Sequence, residues 1–169
     1  MQLTIYDELQ AKKTNIINRW RRAIAGPSET NPFTGGAGGG RFANPAAYAV
    51  EQAATAVFHW LLTGEDPGEN PGETPAEPRQ SLSEIIQLKA VQALRPGEAL
   101  AFIFELKDII SAELTGGDGA MIWAAELRKL ERRIDGIMLT AFELYADQRQ
   151  RIADIRVAEM KRLYRRDAV

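Results

Sequence analysis

Apolar residues recur along this chain at the three- and four-residue steps of amphipathic helices, and no segment alternates as a strand would. From Thr4 to Ala25 the repeat is carried by Leu9, Ile16, Trp20 and Ala23, and Gly26-Pro27 then ends a first helix. Asn44 and Pro45 form a cap and a first helical residue, so a second helix runs to about Thr63 with the stripe Val50, Val57, Leu61, and Gly64 closes it. Ser81-Leu82-Ser83-Glu84 reads as a capping box opening a third helix that ends near Leu94. Pro96 starts a fourth, with Leu94 placed to staple against Ala99, and Gly116-Gly117 ends it. From a cap at Asp118 to Val169 there is no proline and, beyond Gly119 next to the cap, one interior glycine, Gly136. That predicts a fifth helix of roughly 70 Å at about 1.5 Å per residue. The pattern predicts an all-α, five-helix bundle with a long C-terminal helix.

The fourth helix is apolar over a wide arc, with Ala99, Leu100, Phe102, Ile103, Phe104, Leu106, Ile109, Ile110 and Leu114. A surface helix has a narrower stripe, so this one is expected at the centre of the bundle. Trp20, Val50, Val57, Leu61, Ile85, Ile134 and Phe142 are expected around it. The fifth helix is too long to be covered by one compact body. Residues 1–144 are therefore read as the bundle and residues 145–169 as a projecting helix. On that helix Tyr145, Ile152, Ile155, Met160 and Leu163 form a narrow seam, of the width a two-helix contact uses. Residues 65–80 hold Pro67, Pro71, Pro75 and Pro78 among glutamates, which predicts a flexible, solvated connection.

Composition narrows the setting. With 169 residues, 45% hydrophobic and 26% charged, the chain has the make-up of one soluble globular domain. There is no cysteine, which excludes disulfides, thiolate metal sites and a cysteine nucleophile. Asp7, Glu8, Lys12 and Lys13 interrupt any signal-peptide core, and no apolar run approaches the length of a membrane span. A cytoplasmic location is expected. The net charge of −2 argues against sequence-independent binding to nucleic acid.

Candidate chemistry is sparse. His59, the single histidine, lies off the Val50–Val57–Leu61 stripe among Tyr48, Gln52 and Thr55, so it is expected to be partly exposed and not to ligate haem or metal. Ala56 stands three residues before it, which excludes a Glu-x-x-His di-iron motif. The glycine-rich stretch Thr34–Gly40 lacks the Lys-Ser or Lys-Thr of a phosphate loop, Arg41-Phe42 standing there instead. Glu105, Asp108 and Glu113 are the carboxylates nearest the central helix, and are expected to face solvent or pair with basic neighbours rather than act as an acid–base set. No catalytic residue, metal ligand or cofactor is expected. The basic C-terminal stretch, with Arg149, Arg151, Arg156, Lys161, Arg162, Arg165 and Arg166, reads as a solvated face beside the seam.

Three segments together resemble the N-terminal domain family of the RsbRD-type co-antagonists of the RsbT kinase, from the bacterial stressosome. They are Arg41-Phe42-Ala43-Asn44-Pro45; Leu94-Arg95-Pro96-Gly97-Glu98-Ala99-Leu100 continuing to Lys107-Asp108-Ile109-Ile110; and Arg133-Ile134-Asp135 through Ala141–Tyr145 to Ile155-Arg156, Glu159 and Lys161-Arg162. The resemblance implies an all-helical sensory domain, compatible with a globin-like bundle without haem. It implies placement ahead of a STAS module or a histidine kinase, and a terminal helix that carries dimer contacts and passes the signal onward. This sequence stops where such an output module would begin. The expectation is a homodimeric, non-catalytic sensory domain with a STAS-domain or kinase partner. A helical module that binds a small ligand or cofactor, and an adaptor to a metabolic complex, are the alternatives.

Overall fold

The computed structural model describes residues 4–26, 45–64, 76–92, 94–114 and 123–167, and the regular structure among them is entirely helical. The helices are α1 (Ile5–Ala11), α2 (Lys13–Ala25), α3 (Pro45–Thr63), α4 (Ala76–Val91), α5 (Pro96–Leu114) and α6 (Ala124–Asp167). The glycine-rich stretch, Asp118 and residues 65–75 of the proline-rich connection lie outside the described residues.

The expected first helix is two. Thr4 caps α1 through a reciprocal bond set with Asp7: the Asp7 N–H donates to the threonine hydroxyl, and the Asp7 carboxylate accepts from the Thr4 N–H. The helix then breaks at Lys12, whose backbone lies at φ −95, ψ 4. Lys12 reaches from this joint to Glu8 (2.8 Å) and to the backbone carbonyl of Glu113 on α5. The joint lets Ile5 and Leu9 before it, and Ile16, Trp20 and Ile24 after it, all enter the core. At the far end of α2 the chain turns at Gly26 with φ 74 and ψ 175, a conformation that a side chain would strain.

The third predicted helix begins earlier than expected. α4 starts at Ala76, so residues 76–80 are helical and the Ser81–Glu84 box lies inside the helix rather than at its start. Pro78 is compatible with this because it occupies the first turn, where backbone N–H groups have no intrahelical partner to lose. The helix also stops at Val91, short of Leu94. α3 closes at Gly64, whose N–H bonds to the Trp60 carbonyl at 2.6 Å. A Cβ there would come 2.7 Å from both that carbonyl and the Trp60 indole nitrogen, so only glycine fits. At the start of α5 the Glu98 carboxylate accepts from the Arg95 N–H at 3.1 Å and pairs with its guanidinium at 2.7 Å.

The helices enclose one core as a ring: α2 packs on α3, α3 on α4, α4 on α6, α6 on α5, and α5 back on α2, with α1 against α5 and α3. α5 is thus a member of the ring rather than its axis. Its inner arc from Ala99 to Leu114 is buried, but Phe104 is exposed, contrary to expectation. The Trp20 indole N–H donates to the Phe102 carbonyl at 2.8 Å, with the two rings 6.1 Å apart, and this ties α2 to α5 inside the core. Of the residues expected around α5, Trp20, Val50, Val57, Leu61, Ile85 and Ile134 are buried, whereas Phe142 lies on the outer side of α6.

Candidate functional site

α6 contains 44 residues. It crosses the whole bundle and leaves it at one end. Near its start, Arg133 is buried and donates to the Leu61 carbonyl at 2.7 Å. That carbonyl is in the last turn of α3, where intrahelical donors have run out and the helix dipole favours a cation. Asp135 pairs with Lys107 of α5. Further along, the Tyr145 hydroxyl donates to the Leu94 carbonyl in the connection between α4 and α5. Arg149 then donates to the Ala90 carbonyl, near the end of α4, at 3.3 Å. Half-buried Ile152 makes the last apolar contact with the core.

The root of the projecting segment therefore lies later than residue 145. Tyr145 is buried, and the side chains from Ala153 to Arg165 are exposed. The expected seam also combines two sides of the helix. At about 100° per residue, Tyr145, Ile152 and Leu163 share the bundle-facing side, whereas Met160 lies roughly 60° around from it and Ile155 about 80° around the other way. Tyr145 and Ile152 are occupied by the bundle itself.

A different stripe is open. Leu139, Phe142, Val157, Met160 and Tyr164 are all exposed, and exposed Ala146 and Ala153 fill the gap between them. At the same angular step these seven positions fall within an arc of about 60°, on the side away from the buried residues. The stripe starts on the bundle wall and continues onto the projecting end, with Gln150 as the polar residue along it. The links Lys107–Asp135 and Leu94–Tyr145 run α5 antiparallel to α6, which brings exposed Phe104 beside the start of the stripe. Continuing the three- and four-residue steps from Leu139 would have found this pattern in the sequence. Assigning Phe142 to the core concealed it.

Glu143, which also pairs with Arg79 at 3.5 Å, lies with Asp147, Asp154 and Lys161 along one edge of the stripe, and Arg149 and Arg156 lie along the other. Glu159, expected as part of the family motif with Arg156, is likewise exposed on the projecting end. Pro45 opens α3, while Arg41, Phe42 and Asn44 lie outside the described residues.

His59 is exposed on α3. The three α5 carboxylates do not converge. Glu105 and Asp108 are exposed, and Glu113 is a clamp between helices, accepting from Asn15 at 2.6 Å and Arg19 at 2.8 Å. Among the described residues no group of three His, Cys, Asp or Glu could hold a metal ion, and no helix is long and apolar enough to cross a membrane. What the geometry offers is an exposed apolar stripe on a helix rooted by two side-chain bonds.

No curated protein and no solved structure matched the chain. The sequence pattern of the RsbT co-antagonist protein rsbRD N-terminal domain matches residues 15–160, which takes in most of α2, all of α3 to α5 and most of α6. The chain belongs to that family.

Proposed function

We propose that this protein is a non-catalytic, cytoplasmic regulatory domain that pairs with a second copy through α6 and passes a signal along that helix to a partner protein. The observation that carries the proposal is the exposed apolar stripe from Leu139 to Tyr164, continuous across the boundary between bundle and projection. An apolar strip of that length, about 38 Å at 1.5 Å per residue, is costly in water and suits a facing helix. The flanking charges favour a parallel second copy. In that arrangement Glu143, Asp147 and Asp154 lie beside the other copy's Arg149 and Arg156, whereas an antiparallel pair would set Arg149 against the other copy's Arg156. Family membership supports the regulatory role, with a STAS-domain protein or a kinase as the partner class.

Sedimentation equilibrium tests the pairing. The full chain is expected to be a dimer, and V157E/M160E a monomer with unchanged helical circular dichroism. A dimer undisturbed by the two glutamates would rule out this stripe as the interface. Affinity capture from the native cell then tests the partner: a STAS protein or kinase supports signalling, and a metabolic complex in their place would make the domain an adaptor.

A further inference from the structure

A cavity of about 490 Å³ opens at the end of the bundle where α6 is rooted, and Lys89 forms part of its wall. The remaining wall comes from the end of α2 (Ala23, Ala25, Gly26), from Gln92 and Leu94 after α4, and from one face of α5. That face carries Glu98, Ala101, Phe102 and Glu105, at the three- and four-residue steps that line up on a helix. Most of the lining is apolar, and the volume is in the range of small-molecule sites.

Lys89 is the unusual member. It is only 5 % exposed, yet among the described residues its ammonium has no ion pair or hydrogen bond. Burial holds its ammonium below the ordinary lysine range, and the charge of Glu105 opposes that shift. Its ammonium is not sealed in the core but keeps access to the cavity, and a largely buried lysine is rarely retained unless something pairs with its charge. Of the two carboxylates in the wall, Glu98 is engaged by the Arg95 side chain and N–H, and Glu105 is exposed. The opposite wall is fixed in advance, since the Trp20 indole holds the Phe102 carbonyl.

We propose that this cavity binds a small carboxylic acid with an apolar body, its carboxylate paired with the Lys89 ammonium and its body against Phe102, Ala101 and Leu94. Binding itself is independent of how α6 pairs, and only its use as a signal rests on the regulatory reading. The location suits an input site. Leu94 lines the cavity and its carbonyl holds Tyr145, while Ala90, next to Lys89, holds Arg149. A ligand that favours one arrangement of these bonds would shift the setting of α6.

Calorimetric titration of the full chain with hexanoate, leucine and hexylamine tests the site. Hexanoate is expected to bind and hexylamine not to bind. Leucine binding more tightly than hexanoate would identify an amino acid as the source of the carboxylate, with Glu105 receiving its ammonium group, and the reverse order would identify a simple acid. K89M keeps the apolar stem and is expected to lower the affinity for the preferred acid by about tenfold or more, as loss of a buried charge partner does. E105Q is expected to strengthen hexanoate binding by removing a competing negative charge. Absence of binding by both acids, equal binding of hexylamine, or an affinity unchanged in a folded K89M would each overturn the proposal. None of these results depends on whether V157E/M160E dissociates the dimer.

Discussion

Lys89 and Arg133 are the two basic side chains among the buried residues, and they stand in opposite situations. Arg133 completes the end of α3 by bonding the Leu61 carbonyl. R133M keeps most of the packing but leaves that buried acceptor unmet, which costs about 1–3 kcal/mol. Urea denaturation should show a loss in that range, and an unchanged midpoint would mean that the bond adds nothing. Lys89, by contrast, has no hydrogen bond or ion pair for its ammonium among the described residues and is expected to cost stability. Its folded-state pKa is lowered by burial, so between that value and the unfolded value the unfolded chain binds more protons, and native stability rises with pH. Below that window both states are charged and the full burial penalty applies. K89M should therefore melt at a higher temperature than the parent at pH 7, by about 2–4 °C for each kcal/mol recovered. The difference should shrink as pH climbs towards about 10. A K89M variant that melts lower at pH 7 would show that the ammonium has a stabilising partner. Sequence reading gave no sign of this lysine, because a charged residue in a helical pattern is ordinarily assigned to the solvated face.

At the level of elements, helix identity was more legible than helix ends. The starts at Pro45 and Pro96 and the stops at Gly26 and Gly64 agree with the structure, since proline and glycine constrain the backbone whatever the tertiary setting, and the stop expected at Gly116-Gly117 lies outside the described residues. The departures at Lys12 and Ser81 came from weaker signals. Lys12 has an ordinary helical composition around it, and the break there is imposed by packing, with its side chain drawn to Glu113. The Ser81–Glu84 box matches the capping pattern but sits inside α4, where Ser81 has no end to cap. S81A is accordingly expected to change stability by less than about 0.5 kcal/mol, or to raise it slightly, because alanine is the better interior residue. A true N-cap would lose roughly 1 kcal/mol in the same experiment. Equilibrium denaturation of S81A separates the two.

For the molecule as a whole, the all-α class and the long last helix could be read from periodicity, whereas the surfaces that bear on function could not. Phe104 and Phe142 were placed inside because large aromatics usually are, and their exposure became visible only when α5 proved to be part of the ring. Tyr145 was placed in the projecting seam because its apolar ring fits that spacing, and it is instead a root bond of α6. Both errors have one cause. A helix that is covered along one length and bare along the next carries a single periodic signal, and periodicity does not say which stretch is covered or from which side.

The continuity of α6 also has a mechanical consequence. From Ile152 to Tyr164 the helix extends about 18 Å beyond its last core contact, with no proline or glycine to act as a hinge. Such a rod is a lever. A tilt of about 10° at the Tyr145 and Arg149 bonds would carry its tip by about 4–5 Å, and a turn about its axis would arrive at Tyr164 undiminished. Displacements too small to disturb the packed bundle would thus become large enough, at the tip, to bring different side chains into contact with a partner.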